Sequence, residues 1–146
     1  MKHTFILLFI MLNACITQAQ KAATPKEAVG LFYKSMAEVN AEKMHRVVTH
    51  DFLMIENSLL WNMDSVLKAM EPVKGTDFQI KESFRYINEG RQKQRATLVF
   101  WHEAEVFVRG KWQTVLYLES AELKKVAGSW KISLLHTTHV KPFQIP

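Results

Sequence analysis

His102 is the side chain in this sequence best placed to handle a proton. It lies inside the alternating run "ATLVFWHEAEVFV", where Ala96, Leu98, Phe100, Ala104 and Val106 share its parity. In a strand that parity sets it on the apolar side. Burial disfavours the imidazolium, so a neutral imidazole there could serve as a base near neutral pH. Glu119 sits between Tyr117 and Ala121 on another mostly apolar alternate. If it is buried, it needs a histidine or arginine partner, or a raised pKa. Tyr33 offers a phenol as a donor. The stretch "GSWKISLLHTTHV" ends the patterned part of the chain with His136 and His139. Side chains three apart on a strand face opposite sides and stand about 10 Å apart at ~3.3 Å per residue, so these two cannot share a metal. Trp130, Ile132 and Leu134 share a face with His136, which directs it inward, while Leu135 breaks the pattern. His102 and His136 on one cavity would begin a metal site, but Glu103 and Glu105 fall on the other side of the strand from His102 and no third ligand is evident. No metal is expected. No cofactor is expected either: the chain has no Ser-His-Asp spacing, no Gly-rich phosphate loop and no HExxH motif.

Three helices should support this machinery. "TPKE" (Thr24–Glu27) combines a capping threonine, proline at the first helical position and a glutamate that can reach back. Ala28, Leu31, Phe32, Met36 and Val39 then form one apolar stripe. Asn40 caps a second short helix over Ala41–Thr49, with Met44, Val47 and Val48 inward. "DFLMIENSLLW" (Asp51–Trp61) suggests a strand, a turn and a short return strand. "NMDSVLKAMEP" gives a third helix, capped by Asn62 or Asp64 and stopped by Pro72. From Asp77 the period becomes two. Phe78, Ile80, Phe84 and Tyr86 mark one strand, Arg95–Val108 a second, Trp112–Val126 a third and Trp130–Val140 a fourth. Tight turns at "NEGRQ", "RGK" and "AGS" join them. The sum is an α+β domain: three N-terminal helices packed in a strongly curved antiparallel sheet.

At 146 residues there is room for one domain. Residues 1–19 read as a signal peptide and 20–146 as the domain. Lys2, the apolar run Phe5–Leu12 and the small residues that follow have the order of an export signal. The run is far short of the ~20 apolar residues that span a bilayer, so no transmembrane segment is expected. Thr17-Gln18-Ala19 suits cleavage before Gln20, while "LNAC" (Leu12–Cys15) resembles a lipobox that would acylate Cys15. Asn13 is atypical for a lipobox, which favours soluble export, periplasmic or secreted, over a membrane-anchored lipoprotein. Cys15 is the only cysteine, so the domain has neither a disulfide nor a thiol nucleophile. The net charge is +5, and the nearest basic run, "GRQKQR" (Gly90–Arg95), is short and lacks aromatics, so no nucleic-acid partner is expected.

This order of elements, ending in "ESAELKKVAGSWKISLLHTTH", resembles the nuclear transport factor 2-like superfamily from about Pro25 to His139. The nearest branches are the SnoaL-like and calmodulin-kinase association-domain-like domains. The Gly-x-Trp-Lys-Ile turn and the histidine six residues beyond Trp130 are the most specific shared features. The resemblance implies a cone-shaped half-barrel plugged by helices, with a pocket at its open end. It does not fix an activity, because this fold carries several. Ketosteroid isomerases of the superfamily use a tyrosine on the first helix, an aspartate base on the first strand and a second acid on the sheet. The tyrosine matches Tyr33. The base position falls on Asn57, which cannot take a proton, with Glu56 beside it and expected to point the other way. The second acid falls on Ser120 or Ala121, neither of them acidic. One role of three carries over.

The expectation is therefore an exported domain that binds a small apolar or amphipathic ligand in a helix–sheet pocket lined by Tyr33, Asn57, Trp61, His102, Glu119 and His136. Trp61 enters by position alone, near the short strand that rims the pocket. The first alternative is a SnoaL-like cyclase, isomerase or dehydratase with His102 as base and Tyr33 as donor. The second is a non-catalytic dimerisation module using the outer sheet face, where Val99, Trp101 and Phe107 lie opposite His102. A homodimer is compatible with either pocket reading. Converging titratable groups in the cavity would favour the enzyme.

Overall fold

The computed structural model of the chain describes residues 21–140, so the export signal expected over 1–19 and the lipobox at Cys15 lie outside the described residues. Thr24 starts helix α1 (Pro25–Ala37) by accepting the Glu27 amide at 3.1 Å. The Glu27 carboxylate accepts from the Ala23 amide at 2.8 Å, one residue before the reciprocal partner a capping box would use. Ala28, Val29, Phe32 and Tyr33 form the buried face. Asn40 caps α2 (Ala41–Val47). This helix stops two residues earlier than the sequence suggests, because Val48 and Thr49 already belong to strand β1 (Val48–Glu56). Asn57 and Ser58 turn the chain into β2 (Leu59–Trp61), both at positive φ (49° and 68°). Two such central residues define the tight turn whose twist matches the strands it joins. Asn62 caps α3 (Met63–Met70), which ends in a single 3-10 turn at Glu71–Val73.

The remaining strands are β3 (Gln79–Arg91), β4 (Arg95–Val108), β5 (Lys111–Val126) and β6 (Ser129–His139). They form a six-stranded, curved and unclosed sheet in the order β2-β1-β6-β5-β4-β3. One pairing corrects the expectation of a wholly antiparallel sheet. β1 runs parallel to β6. As the sequence order suggests, α3 follows the short strand β2.

Inward residues of β4, β5 and β6 pack on α1 and α2. Phe32, Met44, Leu98, Phe100, Leu123, Trp130, Ile132 and Leu135 are almost fully buried in one cluster. In β6 the alternation breaks at Ser133: Leu123 pairs with Ile132, yet Glu122 pairs with Leu134. The extra residue makes a β-bulge and reverses the phase of everything after it.

Candidate functional site

Seven elements, counting α3 through Met70, converge on one cavity of about 190 Å³. Tyr33 and Met36 come from α1, Met54 and Glu56 from β1, and Phe78, Ile80 and Glu82 from the approach to β3 and that strand. His102, Ala104 and Val106 come from β4, and Tyr117 and Glu119 from β5. Thr137 closes the lining from β6. On each strand these residues alternate, because every second side chain faces the helices. Hollows on the exterior are larger, such as the one of about 400 Å³ near Arg91, Arg95 and Lys124. The rim of that one includes the exposed Arg91, Gln92, Arg95, Thr97 and Glu122.

His102 is the hub. It is 2 % exposed, stacked on Phe84 with ring centroids 4.8 Å apart and 4.3 Å from the Tyr33 ring. Its Nδ1 stands 3.1 Å from Oε1 of Glu119, which is itself 2 % exposed. The Tyr33 hydroxyl donates to the other carboxylate oxygen, Oε2, at 2.6 Å. A carboxylate only accepts, so Nδ1 carries the proton and donates. In a neutral ring that tautomer leaves Nε2 with a lone pair. Nε2 has no hydrogen-bond partner and lies 3.8 Å from Oε1 of Glu82, which also has none. This separation is too long for a direct hydrogen bond.

The electrostatics follow from burial without nearby cations. Burial, with Glu119 next in weight, raises the Tyr33 phenol well above 10, so it remains a neutral donor. Burial pushes the Glu82 carboxyl from 4.5 up to about 7, with His102 opposing the shift. Burial and then Glu119 also raise Glu56 at the end of β1. Glu82 is therefore poised to gain or lose a proton near neutral pH. Among the described residues, no group of three or more His, Cys, Asp or Glu is placed to hold a metal ion.

Of the six residues singled out from the sequence, the structure brings Tyr33, His102 and Glu119 together. Asn57 sits exposed in the β1–β2 turn, and Trp61 packs partly buried against the core. Neither lines the cavity. His136 is exposed on the outer face, because the Ser133 bulge turns it outward and Thr137 inward. His139 returns to the cavity side, at the rim, its ring 5.7 Å from Tyr117. The Tyr33 hydroxyl is committed to Glu119 and is not free to meet a ligand as the expected donor. Glu82 was missed, and Glu56, expected to point away, lines the cavity. Glu82 stands in the stripe Phe78, Ile80, Phe84, Tyr86, and an acid inside an apolar period-two stripe was its signal.

No family model matches the sequence, and no curated protein matches it. Solved structures do. A ketosteroid isomerase-like protein from Erwinia carotovora atroseptica superposes with a TM-score of 0.65 at 15 % identity, over 80 % of this chain and 94 % of that one. A protein assigned as a calcium/calmodulin-dependent protein kinase type II association domain, from Thiobacillus denitrificans, gives 0.64 at 15 % identity, over 84 % and 99 %. An NTF2-like protein from Cytophaga hutchinsonii gives 0.63 at 10 % identity, over 79 % and 94 %. At such identities the likeness speaks for architecture and not for activity. The chain has the NTF2-like, cystatin-like fold.

Proposed function

We propose that residues 20–146 form an exported, cone-shaped domain that takes a small amphipathic ligand into the cavity between α1 and the sheet. One observation carries the proposal: the buried Nε2 of His102 lines the cavity without a partner, while Glu119 and Tyr33 brace the ring from behind. A dry cavity of roughly 150 Å³ holds benzene, so this one suits a single ring with a short polar tail. Native mass spectrometry of the mature protein against a fragment library tests the reading. Adducts are expected with the wild type and should disappear in Ala104→Phe, which fills the cavity from β4. Adducts that persist in the folded variant, or none with the wild type, would refute it.

A second reading, catalysis, is favoured by the convergence of Glu82, His102 and Glu119. In it Nε2 takes a proton from the ligand, Glu119 stabilises the imidazolium, and Glu82 receives or returns the proton. Solvent deuterium appearing in a bound fragment would report this, and His102→Gln should slow it by about 100-fold or more. The ketosteroid isomerase-like name of one structural neighbour accords with proton transfer.

The outer face is proposed to pair with a second copy. Leu118 and Trp101 are cross-strand partners there, with Arg85 opposite Trp101 on β3 and Glu103 two residues along β4, so a two-fold axis could pair the opposite charges around an apolar centre. The association-domain neighbour points the same way.

A further inference from the structure

We infer that the polar end of the ligand is a protonated amine, held by the carboxylates of the cavity. The inference rests on the ligand-binding reading and names the chemistry of what enters. The protein carries a net charge of +5, yet the residues lining this cavity include three glutamates, one histidine and no lysine or arginine. Glu119 already has its donors in Tyr33 and His102. Glu56 and Glu82 make no salt bridge to a lysine or arginine among the described residues. Glu82 is the telling one. Its side chain is only 10 % exposed, it lines the cavity, and its Oε1 has no hydrogen-bond partner. A buried carboxylate left this way costs free energy until a cation or a donor reaches it.

The walls narrow the choice of cation. Met36, Met54, Met70, Phe78, Ile80 and Val106 make most of the remaining surface apolar, which suits a hydrocarbon body. A metal ion fits poorly. Glu119 meets the Nδ1 edge of His102 and Glu82 the Nε2 edge, so the three groups do not point at one centre. An ammonium supplies three donors and a full positive charge on a small, rotatable head. A ligand carboxylate would face like charge, and an alcohol would satisfy one acceptor without neutralising it.

The test compares three probes of nearly one shape by isothermal titration calorimetry near neutral pH: phenethylammonium, 2-phenylethanol and phenylacetate. The wild type is expected to bind phenethylammonium about ten-fold tighter than the alcohol or more, as for a hydrogen bond to a charged group, and to bind phenylacetate weakest. Glu82→Gln keeps the shape and removes the charge. It should weaken the ammonium by about ten-fold and leave the alcohol nearly unchanged. Glu56→Gln is the second variant and should lower the same preference should Glu82→Gln fail to fold. Equal or tighter binding of the alcohol or the acid would overturn the amine and leave the cavity reading standing. Binding of none of the three would overturn both.

Discussion

Glu82 sets the clearest prediction at the scale of single residues. Its carboxyl is raised to about 7 in the fold, against 4.5 for an ordinary glutamate. The folded state therefore holds a proton that the unfolded chain has released between those values. Stability from this group is fully present below 4.5 and is lost as pH rises through about 7. The neighbours that bias it after burial are His102 on β4, which lowers it, and Glu119 on β5, which raises it, both lining the same cavity. Glu82→Gln should remove about 1–2 kcal/mol of that decline, a figure already reduced for solvent screening at the partly open site. Urea unfolding at acidic and mildly basic pH reads the difference, and equal slopes for both proteins would contradict it. Tyr33→Phe takes away the donor to a buried Glu119 oxygen and should cost about 1–3 kcal/mol by the same assay.

These residues also show how far the sequence could be read. Parity placed His102 on the apolar side, because β4 alternates without interruption, while for Glu119 the mostly apolar alternate left an outward-facing edge carboxylate open. The resemblance to isomerases instead set the acidic roles on Asn57 and on Ser120 or Ala121. The carboxylates stand one position away, at Glu56 and Glu119. A slip of one residue exchanges the two faces of a strand, so an alignment without a fixed register cannot assign such roles.

At the scale of elements, the helix starts were legible because each cap is a local device: Thr24, Asn40 and Asn62 all accept the amide three residues on. The bulge at Ser133 was not, since it is set by pairing with β5 and leaves only the adjacent apolar pair Leu134–Leu135 in the sequence. The same limit hid the parallel pairing of β1 with β6, a contact between distant parts of the chain. The bulge makes a contrast that can be measured. His136→Ala, turned outward by the reversed phase, should change stability by less than about 0.5 kcal/mol. Ile132→Ala, one residue before the bulge and fully buried, should cost about 2–5 kcal/mol. A large loss at His136 in denaturant unfolding would mean that its imidazole is inside after all.

At the scale of the molecule, the sheet has two uses. Its inner face joins α1 to enclose an acidic cavity in a basic chain. Its outer face exposes Leu53, Leu60 and Leu118. Light scattering after size exclusion should find a dimer at micromolar concentration, and Trp101→Glu should shift it to monomer without altering fragment binding. A wild-type monomer would restrict the outer face to some other role.

The proton on His102 tests the heart of this account. Long-range proton–nitrogen NMR on labelled protein, with the ring assigned by its loss in His102→Gln, distinguishes the two imidazole nitrogens. The arrangement predicts a proton on Nδ1 toward Glu119, with Nε2 sensitive to a bound fragment. A ring protonated on Nε2 alone, or one indifferent to every fragment that binds, would contradict it.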